Sequence, residues 1–410
     1  MEAIVERCAG LDVHQASVVA CLTIGAAGAK PTKQIRTFGT TLPELEELRD
    51  WLAANKCTLV AMESTGIYWV PVYAVLEGHF EIVVGNARHI KNVPGRKTDV
   101  KDCDWISDLA RHGLIAKSFV PPRPIRDLRD LTRYRSKLVQ TASAERNRLI
   151  RLLESANVKL ASVASDVFGV SGWAMLQALV EGEQSPAEMA QLARRRLRRK
   201  LAELERALHG RLEEHHRFLL GIQMRRIEAI EADIAELDRR LRAKLAPYAR
   251  QMRLLMQIPG VDWVIAGVII AEIGVDMSAF VSAEHLASWA TMCPGNHESA
   301  GRRRSGKTRK GNVHLKTALV MAAKAAGRSK GTYLGEKFRR LTARRGALRA
   351  AVAVGHKILV AAYRMLASGS DYKDLGAGYL DQLNHHRAAG NMLRRLRQMG
   401  YDVQITPRAA

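Results

Sequence analysis

The chain has 410 residues, enough for two or three domains at about 150 residues each. Lys plus Arg number 64 against 41 Asp plus Glu, a net charge of +23. An apolar content of 47% excludes a disordered basic tail, and an aromatic content of 5% argues against a fold of aromatic-rich strands. The positive excess calls for a polyanionic partner, nucleic acid first and an anionic membrane surface second.

No run approaches the roughly 18 consecutive apolar residues of a membrane span. Residues 1–7 are acidic and mixed, without a secretory pattern. The five cysteines (Cys8, Cys21, Cys57, Cys103, Cys293) are scattered and form no CxxC pair. They imply neither a zinc knuckle nor a disulfide framework, and a reduced, intracellular protein is the simplest reading. The first 120 residues are predicted to hold strands over 7–14, 16–24 and 33–40, then a helix over 42–55. A buried strand follows over 57–62, a helix over 66–76 despite Pro71, a strand over 80–84, and a helix over 99–112 that stops at Gly113. This order around one mixed sheet predicts an α/β, ribonuclease-H-like domain.

Pro121, Pro122 and Pro124 mark a boundary, after which the pattern is helical. Leu128, Leu131, Leu138, Ala142, Leu149 and Leu152 share a face, and Leu201, Leu204, Leu208 and Leu212 continue beyond a polar gap. Ile227, Ile230, Ile234, Leu237 and Leu241 form a heptad seam, which suits packing within one bundle and a dimeric coiled coil equally. From about Leu255 come Ile258-Pro259-Gly260, an apolar helix over 264–273, a Gly-rich basic loop, Ala-rich helices over 313–366, and a tail with a basic stretch at 392–397. The expected organisation is therefore a 1–120 domain, a helical or coiled-coil region at 121–254, and a mainly α domain at 255–410.

Four acids of the first domain fall where chemistry would place them. Asp12 ends the apolar run of the first strand, Glu63 follows the buried Leu59-Val60-Ala61-Met62, and Asp99 and Asp102 share a helix face. Carboxylates converging this way repel unless cations lie between them. Two Mg²⁺ (or Mn²⁺) ions about 3.5–4 Å apart would neutralise them and clamp a scissile phosphate. Taken singly, each is more simply structural: Asp99 a helix cap, Asp102 a solvated first-turn acid and Glu63 a partner of lysine. Asp104 lies about 140° around the helix from Asp99 and should face away.

The second constellation runs from Cys293 to Asn312 and carries Arg302, Arg303, Arg304, Lys307, Arg309 and Lys310 among glycines. Its composition is that of a phosphate-binding loop, with a solvated basic loop as the plain alternative. Residues 301–308 fit the Walker A pattern, but no strand leads in and no helix follows at once, so a P-loop is not expected. Ser299 and Ser305 are candidate nucleophiles toward phosphorus, needing activation. The 258–261 turn suits a packing turn or a grip on a DNA backbone. The pairs His215-His216 and His385-His386 are adjacent in sequence and poor metal pairs. The arginine block 194–200 reads as a helix surface facing nucleic acid.

Together, the motifs Gly10-Leu11-Asp12-Val13-His14, Glu63-Ser64-Thr65-Gly66-Ile67-Tyr68, Lys97-Thr98-Asp99-Val100-Lys101-Asp102 and Pro294-Gly295-Asn296-His297-Glu298-Ser299-Ala300-Gly301 resemble one family in their order. They are similar to the DEDD transposases of the IS110 insertion-sequence family, especially its "eleven-eleven" group, which are bridge-RNA-guided DNA recombinases. The resemblance implies a RuvC-like first domain with Asp12, Glu63, Asp99 and Asp102 as its catalytic, Mg²⁺-binding acids. It also implies a C-terminal transposase domain in which Ser299 is the nucleophile. It implies donor and target DNA and a noncoding guide RNA as partners. A homo-oligomer, dimer or tetramer, would form a composite active site in the cytoplasm of a prokaryote, on its nucleoid. Cys103 stands where the family favours a small alanine, and Asp262 where it has a glycine.

The expected reaction is therefore Mg²⁺-dependent strand exchange through a phosphoserine–DNA intermediate. A junction endonuclease using water needs the four acids but not Ser299. A non-enzymatic nucleic-acid binder needs neither, and an ATPase would depend on Lys307.

Overall fold

The computed structural model describes residues 3–403, apart from residues 65, 94–101, 295–296, 300–301, 306–307, 309–310 and 384; for residues 88, 297–299, 302–305 and 385–388 it describes the backbone. The chain divides into two compact units, Met1–Val120 and Pro121–Ala410.

The first unit opens with three antiparallel strands, β1 (Arg7–Val13), β2 (Ser17–Ile24) and β3 (Thr32–Gly39). Then come α1 (Leu42–Ala54), β4 (Leu59–Glu63), α2 (Trp69–Leu76), β5 (Glu81–Gly85), α3 (Ala87–Lys91) and α4 (Asp102–Arg111). The sheet order is β3-β2-β1-β4-β5, with β4 parallel to both β1 and β5. Leu59, Val60, Ala61 and Met62 are all buried, as a parallel strand covered on both faces requires. Ala9, Leu11, Val60 and Met62 pack under α1 and α2, whereas Cys8, Leu59 and Ala61 pack under α3 and α4. The sheet therefore lies between two helical layers. β3 is an edge strand, exposed over most of its length, and carries Lys33 toward α4 and Arg36 toward α1, charges that discourage further strand pairing.

The predicted elements of this unit lie close to the observed ones. α2 begins at Trp69 and not at residue 66, because Gly66 takes a left-handed φ of +61° and a turn precedes the helix. Pro71 then falls in the first helical turn, where its missing N–H costs nothing. The helix α3 has no counterpart in the sequence reading.

In the second unit, α5 (Arg123–Ser155) spans about 50 Å at 1.5 Å per residue. Pro124 starts this helix instead of breaking it. Short helices α6 (Leu160–Val163), α7 (Val170–Glu181), α8 (Pro186–Gln191) and α9 (Leu201–Leu208) lead to α10 (Glu214–Leu245). The ion pairs Asp127–Lys244, Arg135–Asp238 and Arg146–Glu231 step in opposite directions along α5 and α10, so the two helices are antiparallel. The heptad seam is used here. Ile230, Ile234 and Leu237 pack on Leu138 and Ala142, and Ile227 and Leu241 are buried.

The rest comprises α11 (Ala249–Met256), α12 (Trp263–Ile273), α13 (Ala283–Trp289), β6 (His297–Ser299), β7 (Arg302–Ser305), α14 (Val313–Ala326), α15 (Tyr333–Arg345), α16 (Ala347–Ser368), α17 (Tyr379–Gln382) and α18 (His385–Gln398). The segments 121–254 and 255–410, separated in the sequence reading, join in one unit because α12 packs on α5. Among the described residues, α16 is long and apolar enough to cross a membrane. Its Ala350, Ala351, Val354, Ile358, Leu359 and Ala362 are buried, which makes it a core helix.

Candidate active site

The parallel register of β1 and β4 pairs Leu11 with Met62, so the next residues, Asp12 and Glu63, are neighbours at the C-terminal ends of adjacent strands. Asp102 is the first residue of α4. Gly10 brings it close: a Cβ there would lie 2.2 Å from the Cys103 carbonyl oxygen and 2.3 Å from the Ser107 nitrogen. Only a glycine lets the backbone of α4 rest on β1. The result is a shared electrostatic site. Burial pushes the Asp12 carboxyl above the ordinary range, and the Asp102 and Glu63 carboxylates push the same way. His14 opposes them, with its Nε2 3.2 Å from Asp12 Oδ2. The sequence reading left His14 without a role, although its i+2 spacing from Asp12 offered the signal.

Asp99 lies outside the described residues. Asp104 and Asp108, one helical turn apart on α4, form a separate acidic pair. Lys33 of the edge strand pairs with both, at 2.8 Å from Asp108. Lys33 thus offsets the charge of this pair. The donor set of Asp12, Glu63 and Asp102 is three carboxylates, hard oxygen ligands that fit a divalent cation such as Mg²⁺ or Mn²⁺ and not a thiolate-seeking metal.

Among the described residues, the group with ligand atoms all within 4.8 Å of one another is Glu213, His215 and His216. The expectation that adjacent histidines make a poor metal pair does not hold for His215 and His216, whose ring centroids are 3.8 Å from each other. The cause is local. His216 folds back so that its Nδ1 accepts the Glu213 backbone N–H at 3.3 Å in a capping box of α10. For His385 and His386 the backbone belongs to α18, and their side chains lie outside the description.

The basic loop is in part a β-hairpin. Ser299 pairs with Arg302 and Glu298 with Arg303, an irregularity follows at His297, and a bridge from Pro294 to Thr308 closes the base. Residues 302–305 of the Walker-like stretch are therefore strand, and α14 starts only at Val313, so among the described residues no helix opens directly after it as in a P-loop. Arg302, Arg303 and Arg304 stand on β7, whereas Lys307, Arg309 and Lys310 lie outside the described residues.

The hairpin returns to the core through Gly311 and Asn312. Asn312 Oδ1 accepts the Leu315 N–H at 3.0 Å and caps α14, while its Nδ2 donates to Glu272 Oε2 at 2.6 Å. Glu272, fully buried at the end of α12, also accepts two bonds from Arg133 of α5, at 2.8 and 2.9 Å. Burial alone would raise the Glu272 carboxyl. The hydrogen bonds from Arg133 and Asn312, with the charge of Arg129, outweigh it and hold the group below the ordinary range.

The 258–261 turn serves packing. A Cβ on Gly260, at φ +85°, would lie 2.2 Å from the Ala322 carbonyl oxygen of α14. Asp262 caps α12 by accepting the Ile265 N–H at 2.9 Å, which gives it a use in place of the family's glycine. The arginine block is a short 3-10 helix, Arg195–Lys200, exposed except where Leu197 packs on the core.

Charge divides sharply between the units. Residues 1–120 carry 13 basic and 14 acidic side chains, which leaves 51 and 27 of the totals for residues 121–410. The second unit therefore holds the entire positive excess, and the unit with the acid cluster is close to neutral.

Residues 9–158 match the DEDD-type IS110 family model, described as a transposase, and residues 252–338 match a model described as "Transposase IS116/IS110/IS902 family". No curated protein matches the chain.

Proposed function

The chain belongs to the IS110 family of transposases, by two matches that span both the acid cluster and the serine hairpin, and from that premise we propose that it is a DNA strand-exchange enzyme with Ser299 as nucleophile. The observation that carries this reading is the convergence at Asp12, whose carboxyl is raised first by burial and further by Asp102 at the start of α4 and Glu63 at the end of β4. The first unit is read as a RuvC-like catalytic domain, which its five-stranded mixed sheet supports. Asp12, Glu63 and Asp102, with Asp99, would hold divalent cations, Mg²⁺ or Mn²⁺. A cation bound there supplies charge neutralisation for a phosphodiester and favours ionisation of a nearby hydroxyl.

The protein's own groups do the rest. The Ser299 oxygen attacks phosphorus as its proton passes to solvent, and a phosphoserine ester forms while the bond from phosphorus to a deoxyribose oxygen breaks and that oxygen takes up a proton from solvent. A deoxyribose hydroxyl of another strand then attacks that ester, and Ser299 is regenerated. One phosphodiester is exchanged for another, so no nucleotide is consumed. Arg302, Arg303, Arg304, Lys307, Arg309 and Lys310 grip phosphates, and the charged second unit accommodates DNA together with a guide RNA whose base pairing selects the site. The acids of one copy and the hairpin of another would form the site in a homo-oligomer.

The test is strand exchange by full-length variants. Ser299→Ala and Asp12→Ala should abolish it, and Ser305→Ala should retain it. Full exchange by Ser299→Ala would place the nucleophile elsewhere, and DNA cleavage to hydrolysed ends by wild-type protein and Ser299→Ala alike, without exchange, would leave a water-using junction nuclease as the better reading. Equal behaviour of wild-type protein and Asp12→Ala on DNA with Mg²⁺ would leave a binder.

A further inference from the structure

Glu272 is fully buried and ionised, and it sits at the foot of the serine hairpin. Its partners come from two directions. Arg133 on α5 forks onto both carboxylate oxygens, and Asn312 donates from the N-cap of α14. A buried ion pair is a poor source of net stability compared with apolar packing, but it fixes geometry well because every member has a directional partner. Asn312 is fixed at both ends of its amide, one atom capping α14 and the other on Glu272.

The adjacent residues tighten the same place. A Cβ on Gly311 would lie 2.2 Å from Thr291 Cγ2, so the departing and returning ends of the segment touch. Thr291 holds a left-handed φ of +55°, a costly conformation for a β-branched residue, which persists only where its surroundings enforce it. Lys316 of α14 donates to the Thr308 hydroxyl, and Thr308 bridges Pro294 across the hairpin base. From that base the β6–β7 register runs up to the pair Ser299 and Arg302.

We propose that Glu272 is a positioning residue for Ser299, and that the Arg133–Glu272–Asn312 chain fixes the foot of the hairpin and thereby the place from which the serine meets DNA. The proposal rests on Ser299 being the nucleophile. Positioning of a reacting group matters steeply, since displacement by about 1 Å costs on the order of a hundredfold in rate.

Asn312→Asp tests this directly. Aspartate still caps α14, but it sets a carboxylate against Glu272. Asn312→Ser also caps and merely lacks the donor. The double variant Glu272→Gln with Asn312→Asp restores a donor facing an acceptor with the polarity reversed. Each is assayed as full-length protein with RNA transcribed from the flank of its own gene and nicked duplex carrying the gene's adjoining end. The readouts are the rate of covalent Ser299–DNA adduct formation, DNA affinity and the unfolding midpoint.

The expected result is an adduct rate reduced about tenfold or more in both single variants. DNA affinity should stay at the wild-type level in both; the unfolding midpoint should change little in Asn312→Ser and fall in Asn312→Asp, where two carboxylates meet, and the double variant should recover most of the rate and of the midpoint. A wild-type rate in Asn312→Ser, or a double variant that is folded and as slow as Asn312→Asp, would overturn the proposal. Strand exchange by Ser299→Ala would instead show that the nucleophile is elsewhere, a failure distinguishable from the first.

Discussion

Gly10 shows how one missing carbon can decide a site. Its Cβ position is occupied by the backbone of α4, so Gly10→Ala must push the helix off the sheet and carry Asp102 away from Asp12. We expect a loss of about 1–3 kcal/mol in chemical denaturation, typical of overpacking, together with loss of strand exchange. Asp12 itself gives a pH signature. Its folded pKa is raised, so the proton-bound form favours the fold, and the metal-free protein loses this stability as pH rises through the raised value. A divalent cation needs the ionised form, so added Mg²⁺ should raise the melting temperature at neutral pH and progressively less as pH falls through that range. An equal shift at all pH values would contradict the placement of a cation at Asp12. Glu272 has the opposite sign. Its lowered pKa stabilises the fold above the ordinary glutamate range, and that stability is lost as pH falls through the depressed value. Arg133→Ala leaves the buried carboxylate without its forked partner and should cost about 3 kcal/mol by urea denaturation.

At the scale of elements, the periodic signals were the legible ones. The alternation in β1 and β2 and the continuous apolar run of β4 gave strands within a residue or two of their observed limits. The i+3 spacing of Asp99 and Asp102 pointed to a common helix face, although only Asp102 lies within the described helix. The hairpin was less legible: arginine-rich, Gly-broken sequence reads as loop, because strand pairing there depends on a partner strand and not on its own periodicity. Glu272 and Asn312 were invisible for a related reason. They lie 40 residues apart, and nothing in local spacing marks a buried contact made by the fold. The heptad seam could be recognised but not assigned a partner, since apolar periodicity describes a face and not what covers it. Its use against α5 predicts that Ile227→Ala, at a fully buried position, destabilises the protein by about 2–5 kcal/mol, independently of protein concentration. A cost that vanished on dilution would point to packing between chains.

For the whole molecule, the division of charge assigns labour. A near-neutral unit with an acid cluster can admit a phosphate without competing for the backbone, while the second unit, with 51 basic against 27 acidic residues, supplies the counterion-releasing surface. Nucleic-acid affinity should therefore fall steeply with salt. Neutralising Arg195, Arg196, Arg198 and Arg199 should flatten the log–log slope by about one unit for each phosphate that the variant no longer neutralises. Asp12→Ala should leave that slope unchanged. The central claim, that an acid cluster and a distant serine act on one phosphodiester, is tested most directly by mass spectrometry of the trapped protein–DNA complex. The account predicts a nucleotide-bearing peptide with its modification on Ser299, formed by wild-type protein and absent from Asp12→Ala. A modification on any other residue, or an undiminished Ser299 adduct in Asp12→Ala, would contradict it.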